Sequence, residues 1–192
     1  MDAHTPFAAR RAVLTAATVA IAASLAVPSP APARPRTAPL VVPILMYHRI
    51  DYLRPGLPLM TRRLTVDPDD FARQMRWLHA HGFHTLTQEQ LLAGVTAGGG
   101  LPPRPILITF DDGYRDVLGK AAPVISRLGM HATAYVISSR LHGTDPSFLT
   151  EPELRALERH GIEIGSHTAT HAALTTLSDA QASKELLSSR RA

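Results

Sequence analysis

Pro105-Ile106-Leu107-Ile108-Thr109-Phe110-Asp111-Asp112-Gly113 is the stretch that decides the fold. Its first six residues form an apolar run without polar alternation, the pattern of a strand covered on both faces, as in a parallel sheet. Asp-Asp-Gly then marks a turn. Upstream, Gly98-Gly99-Gly100 and Pro102-Pro103 read as a loop. Downstream, a helix is expected around Lys120 to Leu128. Pro123 is tolerated there only in the first turn, and Gly129 is the stop. The same alternation extends both ways. Val41 to Tyr47, Phe83 to Leu86, Ala132 to Ile137 and Ile162 to Gly165 are further strands, making five. Asp67 caps a helix whose first position is Pro68 and whose apolar face is Phe71, Met75 and Leu78, with Gly82 as the stop. Thr87 with Gln90, Thr150 with Glu153 and Ser178 with Gln181 are capping boxes for three more helices. Strands alternating with helices give an α/β fold with parallel strands.

Polar groups interrupt this pattern at equivalent places. His48 follows the first strand, Asp111 and Asp112 the third, and His167 with His171 the last. Parallel strands point the same way, so residues past their C-terminal ends converge on one rim. An i, i+4 spacing within a helical turn sets the imidazoles of His167 and His171 on one side. Two imidazoles and a carboxylate are a three-ligand set with an open position. Each signal is weak alone, since the chain has 10 histidines and Asp-Asp-Gly is a common turn. The absence of cysteine excludes disulfides and thiolate metal sites.

Together, Thr109-Phe110-Asp111-Asp112-Gly113 and Ser166-His167-Thr168-Ala169-Thr170-His171 resemble the first two motifs of the polysaccharide deacetylase family, carbohydrate esterase family four or the NodB-homology domain. Met46-Tyr47-His48-Arg49 resembles the opening strand of its poly-N-acetylglucosamine deacetylase branch. The resemblance covers residues 41–192. It implies an incomplete (β/α) barrel of the glycoside hydrolase/deacetylase type, carrying a divalent metal, usually zinc. Asp112, His167 and His171 match the ligands, and Asp111 matches the catalytic base. The implied reaction is hydrolytic removal of acetyl groups from N-acetylated amino-sugar polymers of cell wall or exopolysaccharide. An O-acetyl esterase acting on xylan, or a non-catalytic glycan-binding remnant, are the alternatives. His48 reads either as a buried histidine bonded to backbone, or as a substrate contact or a support behind the metal ligands. Tyr114 is expected to line the cleft, and Trp77 to pack. The family's later Arg/Pro segment and Leu-x-His find no match after His171. The deacetylase domain is therefore expected to be truncated at its C-terminus, binding metal weakly and turning over poorly on its own.

Residues 1–33 read as a signal peptide: Arg10-Arg11, an apolar run from Ala12 to Val27, and Ala31-Pro32-Ala33 at the end. The arginine pair resembles a twin-arginine signal. An uncleaved anchor is the alternative, although the apolar run is short for a spanning helix. Residues 34–40 read as a linker. Export to the periplasm, cell wall or medium follows, with no stable membrane span after cleavage. Beyond residue 33 the chain has 18 basic and 15 acidic residues, a balance too mild for nucleic-acid binding. The expected partner is the acetylated polysaccharide.

Overall fold

A computed structural model describes residues 40–96 and 100–192. The proposed signal peptide, and all but the last residue of the proposed linker, lie outside the described residues. Among those described, no helix is long and apolar enough to cross a membrane.

The elements in chain order are β1 (Ile44–Tyr47), β2 (Arg49–Ile50), α1 (Leu59–Arg63), β3 (Thr65–Val66), α2 (Pro68–Ala80), β4 (His84–Thr85), α3 (Gln88–Thr96) and β5 (Pro105–Phe110). There follow α4 (Ala122–Arg127), β6 (Ala132–Val136), α5 (Glu151–Arg159), β7 (Ile162–Ser166) and α6 (Asp179–Arg191). Strands β1, β5, β6 and β7 pair in that order, β4 pairs with the start of β5, and every ladder is parallel. This is an α/β fold with the sheet of an incomplete (β/α) barrel. The five expected strands are all present. Two short ones, β2 and β3, pair separately.

The apolar run of β5 conceals an alternation. Ile106, Ile108 and Phe110 join the core beneath the helices. Leu107, Thr109 and Asp111 point the other way, lining an open pocket of about 380 Å³ that Gln88 and Leu91 of α3 also border. The core side is filled by Phe71, Met75 and Leu78 of α2, as their spacing predicts. Tyr47, Phe71 and Phe110 pack as an aromatic trio with ring centroids 5.2 to 5.8 Å apart. β1 departs from the expectation of strands covered on both faces: Ile44 and Met46 are 58% and 64% exposed.

Capping fixes the helix starts. Asp67 accepts from the Asp69 N–H at 2.9 Å. Thr87 and Gln90 bond reciprocally, as do Ser178 and Gln181, and Glu153 accepts from the Thr150 N–H at 2.8 Å. The helix expected from Lys120 is different. Val117–Ala121 forms a π-helical turn and α4 starts only at Ala122, with Pro123 in its first turn. A proline ring strikes the carbonyl four residues back in a regular helix, here that of Gly119, and the wider turn relieves that clash.

Candidate metal and catalytic site

The sheet register sets the site. Tyr47 pairs with Phe110, Phe110 with Ala134, and Ala134 with Ile164. His48, Asp111 and Gly165 are each the next residue along their strand or just past its end, so they share one rim. Asp111 is bound into that rim by its N–H, which donates to the Tyr47 carbonyl at 2.8 Å.

Beyond Asp111 the chain turns sharply. Asp112 and Gly113 both have positive φ, 72° and 80°. Asp tolerates this left-handed region better than most residues, while glycine has no Cβ to clash. The turn is held against β6 and the loop before α5. A Cβ on Gly113 would stand 3.0 Å from Val136 Cγ1. The Leu149 N–H donates to the Gly113 carbonyl at 2.9 Å. The result is a buried Asp112, 7% exposed.

His167 follows β7 and its N–H donates to the Val136 carbonyl at 2.9 Å. His171 reaches the site without the expected helical turn. The segment between the two histidines is a loop in which Thr168 and His171 have φ of 63° and 65°. It is shaped by hydrogen bonds: the His171 N–H donates to Thr168 Oγ1 at 3.0 Å, and the Ser138 and Ser139 N–H groups donate to the carbonyls of Thr168 and Ala169 at 3.2 and 3.0 Å. The two imidazoles still meet, with ring centroids 4.8 Å apart.

Asp112, His167 and His171 form the group of potential metal ligands found among the described residues. The two Nε2 atoms stand 3.4 and 3.5 Å from Asp112 Oδ1. That oxygen is buried and has no hydrogen-bond partner among the described residues. A buried carboxylate oxygen without a partner carries a desolvation cost that a cation would offset. Ligands about 2.0–2.1 Å from a tetrahedral zinc ion stand about 3.3–3.4 Å from one another, so the spacing suits such an ion. The donor chemistry, nitrogen with oxygen, suits it as well. His171, whose side chain is 57% exposed, leaves one side open to a further ligand.

Asp111 borders the cavity together with His167, Thr109 and Tyr135. Burial pushes its carboxyl above the ordinary carboxylate range, and the Asp112 charge adds to this; charge on His167, His48 and His171 opposes it. His48 is half-buried. The strand order places it on the β1 flank of Asp111, opposite the β7 flank that carries the histidine pair.

Tyr114 is near the site, but both faces of its ring are covered. Phe148 stacks on one at 5.0 Å and 22°, and the Arg49 guanidinium lies 4.8 Å from the ring centroid. Arg140 extends the stack, 5.0 Å from the Phe148 centroid. Arg49 is itself held by Asp116, Nε to Oδ2 at 2.9 Å, while Asp116 Oδ1 accepts from the Ile50 N–H at 2.9 Å. The Tyr114 ring therefore has no free face for a sugar. Its phenol is pushed up by burial and then by the Asp112 charge. Trp77 packs on His81 at 4.0 Å yet stays 53% exposed. Sequence reasoning missed Arg49, Asp116, Phe148 and Arg140, whose partners lie far apart in the chain. Arg49 alone carried a local signal, standing beside His48.

Residues 98–192 match the family model described as Polysaccharide deacetylase. YxkH of Bacillus subtilis is 35% identical over 153 residues, covering 80% of this chain and 51% of that protein. A poly-beta-1,6-N-acetyl-D-glucosamine N-deacetylase of Staphylococcus epidermidis is 27% identical over 136 residues, covering 65% of this chain and 47% of the other. The solved Streptococcus pyogenes deacetylase PplD, in complex with acetate, superposes with a TM-score of 0.72 at 25% identity, covering 79% of this chain and 67% of PplD. The chain thus spans about half the length of the two sequence relatives.

Proposed function

This chain belongs to the polysaccharide deacetylase family, and from that premise we propose that it supplies the metal-binding site of a hydrolase that removes acetyl groups from N-acetylated amino-sugar polymers. The observation that carries the reading is Asp112 Oδ1, buried and without a hydrogen-bond partner among the described residues, facing two imidazole nitrogens at 3.4 and 3.5 Å with a second carboxyl alongside. The Staphylococcus epidermidis relative supports an N-acetylated glucosamine polymer as substrate.

In this reading Asp112, His167 and His171 hold a divalent ion, with zinc favoured by the nitrogen and oxygen donors. When bound, the ion supplies the charge that acidifies water and polarises an acetyl carbonyl. Asp111 is the general base. Its carboxyl borders the cavity beside His167, where it can accept the proton of an attacking water. Water adds to the acetyl carbon, the carbon–nitrogen bond breaks, and acetate and a free amine result. His48, on the other flank of Asp111, contacts the sugar. The Tyr114 hydroxyl is a further polar contact for substrate. Residues 1–33 direct export and 34–40 tether the domain, a role supported by the arginine pair, apolar run and small-residue end. N-terminal sequencing of exported protein tests that cleavage.

The decisive experiment measures zinc content and acetate release together. The chain should bind one divalent ion, and acetate release from N-acetylglucosamine oligomers should stop on chelation and return with zinc. Chelator-insensitive release, or a chain that takes up no ion, sinks the reading. Faster release from acetylated xylan would redirect it to an O-acetyl esterase.

A further inference from the structure

α6 is an unusual helix for a packed domain. Of its 13 residues only Ser189 is buried, while Leu186 and Leu187 are 50% and 51% exposed. Apolar burial therefore contributes little to its attachment. Two polar links do attach it, and both lead to the strand end and loop that carry the histidine pair. Ser189 Oγ meets Ser166 Oγ at 2.6 Å, one residue before His167. Glu185 accepts from the Thr170 N–H at 2.8 Å and from Thr170 Oγ1 at 3.0 Å, one residue before His171.

Hydrogen bonding from the loop, led by the Thr170 N–H, holds the Glu185 carboxyl below its usual range. Within the loop, Thr168 Oγ1 accepts from the His171 N–H at 3.0 Å. The Glu185 carboxylate thus pins the loop at Thr170, one residue before a ligand. On its other side the loop is held through its carbonyls by Ser138 and Ser139. The loop needs such restraint, because Thr168 and His171 occupy the left-handed region. A β-branched threonine is strained there, and strained residues persist only when their surroundings over-determine them.

We propose that Glu185 is a positioning residue for the metal site: it fixes the Thr168–His171 loop so that His171 meets Asp112 and His167 at ligand spacing. The inference rests on those three residues forming a metal site, as argued above. Partners that orient ligands from behind commonly change metal affinity by about 10–100-fold when removed. Glu185 acts one step further back, through the loop backbone, so an effect near the lower end is expected.

The test uses the full 192-residue chain and its Glu185→Ala and Glu185→Gln variants. Zinc affinity is measured by competition with a chromophoric chelator, cobalt-loaded visible spectra report ligand geometry, and urea unfolding reports stability. Glu185→Ala should weaken zinc binding by about tenfold and alter the cobalt spectrum. Glu185→Gln, which keeps one oxygen acceptor, should fall between it and the wild type. If Glu185→Ala does not fold, Glu185→Gln and Thr170→Val carry the measurement. Wild-type zinc affinity and cobalt spectrum in folded variants, even with lower stability, would reduce Glu185 to a helix anchor and overturn the proposal. A wild-type chain that binds no zinc would instead remove the metal site itself.

Discussion

The turn from Asp111 to Tyr114 and the loop from His167 to His171 bring ligands to the same point by different means. The carboxylate side is packed: Asp112 is 7% exposed, Gly113 lies against Val136, and Tyr114 sits in a stack of four side chains. The imidazole side is tethered. His171 has a side chain 57% exposed, and its loop is fixed by hydrogen bonds to Ser138, Ser139 and Glu185. Packing resists displacement through dispersion and excluded volume, whereas exposed hydrogen bonds compete with water. Changes on the first side should chiefly cost stability, and changes on the second chiefly metal affinity.

Asp112 is where that division should break most visibly, because it belongs to the packed side and is also a ligand. Asp112→Asn keeps the shape and the tolerance for positive φ but removes the charge. Zinc affinity should drop by more than about a hundredfold, beyond the usual effect of outer partners, with urea stability within about 1 kcal/mol. A variant that keeps wild-type affinity would remove Asp112 from the ligand set. Next in size is Gly113→Ala, which meets Val136 at 3.0 Å and must adopt a φ of 80°. It should cost about 2–3 kcal/mol in urea unfolding. An unchanged unfolding midpoint would mean that the packed side is not tight.

Arg49→Met keeps an apolar stem over Tyr114 but leaves Asp116 without its ion-pair partner. About 2 kcal/mol of stability should be lost, with zinc affinity within about threefold of wild type. A larger loss of affinity than of stability would show the stack to be part of the site's tuning. The smallest effect concerns pH. Burial raises the Glu153 carboxyl, but bonds from Thr150 and Arg115 outweigh it and hold the group below its usual range. A carboxyl lower in the folded than in the unfolded chain stabilises above its unfolded value, and that contribution is lost as pH falls through the folded value. Between about pH 5 and 3 the wild type should therefore lose urea resistance more steeply than Glu153→Gln. Parallel curves would detach Glu153 from the support of Arg115, two residues past Gly113.

Local chemistry explains what the amino-acid sequence revealed. Capping residues and stop glycines act within a few positions, so α2, α3, α5 and α6 were legible, and β5, β6 and β7 followed from apolar runs. Asp111, Asp112, His167 and His171 stood at strand ends, which parallel topology gathers. The segment 49–66 was not legible, because β2 and β3 are two residues each and find each other across Pro55, Gly56 and Pro58. The π-helical turn is a local response to Pro123 that no periodicity announces. The spacing of His167 and His171 suggested a helix, yet the loop's form is set by Ser138, Ser139 and Glu185, residues remote in the chain. The covered ring of Tyr114 depends on Arg49 and Phe148, equally remote.

The positive φ angles at Asp112 and His171 limit how this site could be rebuilt. Besides glycine, Asn, Asp and His are the residues that enter that backbone region most readily. Two of those are also strong donors to a divalent ion. A designer moving these ligands, or lineage drift exploring replacements, would draw from one short alphabet that must satisfy torsion and coordination at once. Cysteine or glutamate, competent donors elsewhere, would start at a conformational disadvantage here.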